Sequence, residues 1–109
     1  MPLYDATKAK ERLSILANDN NFDTIIASLG SQADSEILQR IQIIKPDFDV
    51  NAEDNNQIIK DASTDRLVAY VYLVKMKYES YREFLEKSNK AIELFMGEAK
   101  HDHIAGGKY

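Results

Sequence analysis

The chain has no cysteine and no tryptophan, and only two prolines and four glycines in 109 residues. Without cysteine there is no disulfide and no thiolate metal site, a composition that suits a reducing compartment. Neither glycine nor proline occurs between residues 50 and 96. Proline removes a backbone donor and glycine costs backbone entropy, so both are missing where a long helical region needs them missing. No uncharged apolar run approaches the ~20 residues of a membrane span. Neither sign of charge dominates: 14 Lys and Arg against 18 Asp and Glu leave a net charge of −4. That balance gives no support for gripping phosphate backbones. The first residues, Met1-Pro2-Leu3-Tyr4-Asp5, lack the basic start and apolar core of a secretory signal. The expectation is one domain, made or assembled in the cytoplasm.

What is present is helical patterning. Asp5 is placed to cap a first helix reaching about residue 17, with Ala6, Ala9, Leu13 and Leu16 at helical spacing. Asn18-Asp19-Asn20-Asn21 then favours a turn. Asp23 can cap a short helix over 24–29, with Gly30 as its C-terminal stop. Ser31 with Asp34 three residues on opens a further helix, striped by Ala33, Ile37, Leu38, Ile41 and Ile44 and ended by Pro46. One kinked helix through Gly30 is the alternative; the break is the reading adopted. Residues 45–56 read as a polar loop that Phe48 and Val50 can pin, with Asn51 or Asp54 capping the next helix.

The last region contains Leu67-Val68-Ala69-Tyr70-Val71-Tyr72-Leu73-Val74, apolar on every side. A helix of that kind is surrounded, by its own domain or by other copies. Leu67, Val71, Val74, Tyr78, Tyr81, Leu85, Ser88, Ile92 and Phe95 alternate steps of four and three, the spacing of shallow-angle helix packing. Ser80-Tyr81-Arg82-Glu83 matches a capping box, so a kink or short turn is expected near Glu79. Gly97 closes the helical part, and residues 98–109 form a C-terminal arm without periodicity.

Catalytic signatures are missing. There is no nucleophile elbow, no His-Glu-x-x-His helix and no phosphate-cradling glycine loop. Asp34, Asp61 and Asp65 are the carboxylates an enzyme would draw on, and the reading is that the chain is not an enzyme and takes no cofactor. His101 and His103 flank Asp102 in the arm, but a metal site needs three or four ligands, so no metal is expected. Glu79, Glu83, Glu86 and Glu93 sit beside Lys or Arg at helical spacing, as solvated ion pairs do. Tyr70, Tyr72, Tyr78, Tyr81, Phe84 and Phe95 share helix faces with Leu, Val and Ile, which favours core or interface packing over nucleic-acid stacking.

The order of elements resembles a known family. Asp23-x-x-Ile26-x-x-Leu29 followed by Ala33-Asp34-x-x-Ile37 looks like the opening of tailed-phage head–tail connector (head-completion, adaptor) proteins. Ile59-x-x-Ala62 through Leu67-x-x-Tyr70 is similar to their central apolar helix. Phe84, Ala91, Phe95 and Gly97 resemble the closing helix and glycine of the Mu-type branch. The stretch Arg40-Ile41-Gln42-Ile43-Ile44 departs from the family by lacking its aromatics. The resemblance implies a structural virion protein at the head–tail interface, assembled in the host cytoplasm. Its copies would form a ring, commonly twelve, between the portal protein and a tail-side connector protein. Double-stranded DNA would pass through without specific binding, and no membrane is involved. By position, the arm with His101, His103, Ile104 and Tyr109 would dock on the portal or a neighbouring copy.

The sequence thus predicts an all-α fold, a small bundle of four to five helices over residues 1–97 with an extended C-terminal tail over 98–109. The function expected is assembly, through a subunit interface carrying Val68, Tyr72, Met76 and Tyr81. A cellular helical module that binds or regulates a partner protein is the alternative.

Overall fold

Asp5 caps as its position suggests: its carboxylate accepts the Lys8 amide at 3.1 Å. In the computed structural model, which describes residues 3–49 and 56–96, it opens α1, Ala6–Arg12. Then come α2 (Asp23–Ile44), α3 (Asn56–Val74) and α4 (Tyr78–Phe95). The fold is all-α, with no strand among the described residues. Val50, the candidate caps Asn51 and Asp54, and the whole arm after Met96 lie outside them.

Three boundaries differ from expectation. α1 stops five residues early. Ser14 adopts a left-handed conformation (φ 60°), and the Ser14 and Ile15 amides bond back to the carbonyls of Glu11 and Lys10. The turn lets the buried Lys10 ammonium gather the carbonyls of Ala17 and Asp19, at 3.3 and 3.0 Å, and the Asp23 carboxylate at 2.8 Å. A straight helix to residue 17 would carry those acceptors away. Leu16 is left 74% exposed.

The second difference is Gly30, which is buried inside an unbroken α2 rather than ending a helix. The ring of Tyr4 occupies its missing side chain's place: a Cβ would stand 2.5 Å from Tyr4 Cε1. Asp34 caps nothing. It accepts the amides of Leu3 (3.0 Å) and Tyr4 (3.1 Å) and the Ser63 hydroxyl (2.5 Å). Pro46 does end α2, forcing Lys45 out of the helical region.

The third is the break in the last region, which falls at residues 75–77, ahead of the Ser80 capping box. Met76 takes a left-handed conformation (φ 62°), and the Met76 and Lys77 amides close on the carbonyls of Leu73 and Tyr72. α4 therefore begins at Tyr78 with no side-chain cap, and Ser80 lies inside it.

α3 is central and packs against α4, α2 and α1. That accounts for its all-round apolarity: Leu67, Val68 and Ala69 are 0% exposed and Val71 2%. Two apolar clusters flank it. One holds Leu3, Ile37, Ile41, Ile59, Ala62, Ile92 and Met96, with Phe48 against Phe95 edge-on at 5.6 Å, so Phe48 pins the loop as expected. The other holds Ala9, Leu13, Ile26, Ala33, Leu67, Val68 and Val71. Between them runs a buried polar layer of Ser63, Thr64, Arg66 and Ser88. These contacts pair the start of α3 with the ends of α2 and α4, so α3 runs antiparallel to both.

Candidate functional site

At the α3–α4 turn the apolar run outlasts its neighbours. The last turn of α3 is covered on one side only: Val71 is buried and Tyr72 stacks on Phe84, while the residues that follow emerge. Leu73 is 40% exposed, Val74 57%, Met76 72% and Tyr78 49%. Lys75 lays its ammonium over the Phe22 ring, 5.1 Å from the centroid. The result is an apolar tip flanked by Lys75 and Lys77.

Met76 is the unusual member. A left-handed residue with a Cβ costs about 1 kcal/mol or more, a cost glycine would not carry. Met76 belongs to neither core cluster, and 72% of it is exposed.

The four residues assigned to a subunit interface do not share one face. Val68 is enclosed in the protomer core and unavailable to another copy. Its position opposite the first packing stripe suggested a free face, but α3 has neighbours there too. Tyr72 is half-buried: its ring stacks on Phe84 at 5.7 Å and its hydroxyl donates to the Arg12 carbonyl at 3.4 Å. Tyr81 is half-buried in α4. Met76 alone among them stands clear. Leu73, Val74 and Tyr78 belong beside it; their signal was the apolar run's abrupt end at Lys75. The arm residues His101, His103, Ile104 and Tyr109 lie outside the described residues.

A polar network that sequence reasoning missed spans the three long helices. Tyr70 donates its hydroxyl to the Glu36 carboxylate. Arg66 donates Nη1 to Glu36 at 3.2 Å and to the Tyr70 hydroxyl at 3.3 Å, and Nη2 to Asn89 Oδ1. Arg40 donates to that same Asn89 oxygen at 2.6 Å. Burial, then the Glu36 hydrogen bond, hold the Tyr70 phenol above its ordinary pKa, and Arg66 pulls the other way. The legible trace was two i, i+4 pairs, Glu36 with Arg40 and Arg66 with Tyr70, on helices that prove adjacent. With its acceptors filled from within, the network fixes the register of α2, α3 and α4.

The candidate carboxylates are likewise engaged. Asp34 holds the N-terminal residues as above, and Asp61 accepts from Gln57 at 3.2 Å. Asp65 pairs with Arg12 at 3.0 Å; burial raises its pKa, and the Arg12 guanidinium opposes that without cancelling it. A shallow depression of about 230 Å³ lies along Glu83, Glu86, Lys87 and Lys90. Its lysines pair within α4, Lys90 to Glu86 at 3.0 Å and Lys87 to Glu83 at 3.9 Å, as the charge spacing indicated. Among the described residues no group of three or more His, Cys, Asp or Glu is placed to hold a metal ion, and no helix is long and apolar enough to cross a membrane. Comparison with family models, curated proteins and solved structures returned no match.

Proposed function

We propose that this chain is a self-assembling structural protein, and that its place of action is the head–tail interface of a tailed phage. There a ring of copies would connect portal to tail. The observation that carries the assembly reading is Met76, an apolar side chain kept in a costly backbone conformation and 72% exposed beside Leu73, Val74 and Tyr78. An exposed apolar cluster with a polar surround is a contact waiting for a partner. The net charge of −4 suits a wall past which DNA moves without adhering. The phage assignment rests on the sequence resemblance and on an all-α fold whose long apolar helix is central.

Two measurements test the reading. Light scattering after size exclusion should show mass rising above 12.4 kDa with concentration. Met76→Asp should hold the chain at 12.4 kDa with unchanged helicity. Identical behaviour of the two proteins refutes the assembly role of the tip. Co-expression with a portal protein, followed by electron microscopy, should show a ring against the portal; a bare portal removes the virion assignment. A chain that stays monomeric while capturing a cellular helix would establish the binding module instead.

A further inference from the structure

The polar network joining α2, α3 and α4 has its acceptors filled, but its cations outnumber its anions. Arg40 on α2 and Arg66 on α3 both donate to a single oxygen, Oδ1 of Asn89 on α4, at 2.6 and 2.5 Å. Two guanidinium nitrogens are thereby held within about 5 Å of each other by a neutral amide, a separation at which like charges repel. Glu36 is the one carboxylate in the network. It takes Arg66 and Tyr70 on one oxygen, and Gln32 on the other at 3.1 Å. Among the described residues Arg40 has no ion pair: Glu86 is bound to Lys90 at 3.0 Å, and exposed Glu93, one turn beyond Asn89, does not reach it.

Arg66 carries a second irregularity. Its side chain is 8% exposed, and its Nε is buried with no acceptor among the described residues. In a guanidinium, Nε and the terminal nitrogen beside it present parallel donors on one edge, and a carboxylate accepts both. Nη2 meets Asn89 and Nε meets nothing, so an amide oxygen fills half of a two-pronged seat. A water at Nε would supply an acceptor but leave the surplus positive charge unanswered.

We propose that Arg40, Arg66 and Asn89 form a binding site for one carboxylate group, and that Asn89 Oδ1 stands where a ligand oxygen belongs. The half-buried Asn89 side chain swings aside, and the carboxylate spans Nε and Nη2 of Arg66 while also accepting from Arg40. Entry is from the side of Glu36 and Arg40, where Glu36 is 35% exposed and Arg40 half-buried. Charge and shape both select the ligand. Two arginines and Glu36 leave one positive charge, which a monoanion balances and a phosphate dianion exceeds. The guanidinium edge is planar, as a carboxylate is.

The test uses the full chain, with sodium acetate as the probe and sodium chloride at matched ionic strength as the control. The Arg66 Nε–H signal in NMR spectra reports binding. Acetate should move it saturably, half-way at about 1–10 mM, and chloride should not. Arg40→Gln should weaken the response at least tenfold with helicity unchanged. Asn89→Asp supplies the missing anion from within: it should abolish the acetate response and raise the melting temperature by about 4–8 °C. A lower melting temperature for Asn89→Asp overturns the proposal. So does an acetate response that chloride matches or that Arg40→Gln leaves unchanged. Inorganic phosphate binding more tightly than acetate overturns the choice of a carboxylate. A blocked Ala-Glu-Ala peptide separates two sources of the group. Binding tenfold tighter than acetate places the carboxylate on an acidic protein segment, and equal binding assigns it to a free small acid.

Discussion

Met76→Gly and Ser14→Gly each remove a Cβ from a left-handed position at a helix end, and each should raise the unfolding free energy by about 1 kcal/mol. They should part company in assembly. Met76→Gly deletes the exposed tip and weakens self-association, whereas Ser14→Gly leaves it unchanged. Urea denaturation and sedimentation on the same samples read both effects. Gly30 presents the reverse case. Alanine there gains helix propensity but drives its methyl into the Tyr4 ring, so Gly30→Ala should cost about 1–2 kcal/mol. In a Tyr4→Ala background the same change should stabilise by about 1 kcal/mol. Tyr70 sets an alkaline limit. Its raised pKa means the native state keeps a proton that the unfolded state releases, so stability falls as pH climbs past about 10. Glu36→Gln removes a cause of that elevation and should flatten the slope, measured by chemical denaturation between pH 9 and about 11.

Among the elements, α1, α3 and α4 were legible as single helices because helix breakers and apolar periodicity act locally, whereas α2 reads as two. Asp5 caps through its own neighbour's amide, and Pro46 ends α2 through a clash with the residue before it. What escaped was decided by distant partners. Gly30 signals a helix end by its local freedom, yet the Tyr4 ring, 26 residues away in sequence, gives it a different task. Asp34 has the spacing of a capping box, but two backbone amides and Ser63 claim it. The end of α1 could not be read from Leu16, because the reason for stopping is what Lys10 gathers beyond it. Asp34→Ala, which strips three hydrogen bonds from a charged acceptor, should cost about 2–4 kcal/mol. It should also open residues 3–5 to proteolysis before the helices melt.

For the whole molecule, the apolar run announced that α3 is surrounded without saying by what. Along the run the protomer itself supplies most of the surround, while Leu73, Val74 and the 75–77 connection emerge. Amide exchange should follow that division. The amides of Leu67 to Val71 should be the slowest, and those of residues 73–77 should exchange several orders of magnitude faster. Protection gained by the latter on raising protein concentration would mark the assembly contact directly.

The fastening of Leu3, Tyr4 and Asp5 also dictates when this protein can become itself. Asp34 lies 31 residues beyond Leu3 and Thr64 lies 59 beyond Asp5. On the ribosome, those three residues leave the tunnel with nothing yet made to hold them. α2 alone brings Asp34 but neither Ser63 nor a floor for Leu3, and α3 arrives before α4 can shelter it. Closure therefore waits until nearly all the helical chain is out, and a stalled nascent protein would display the greasiest helix bare to whatever chaperone stands at the exit.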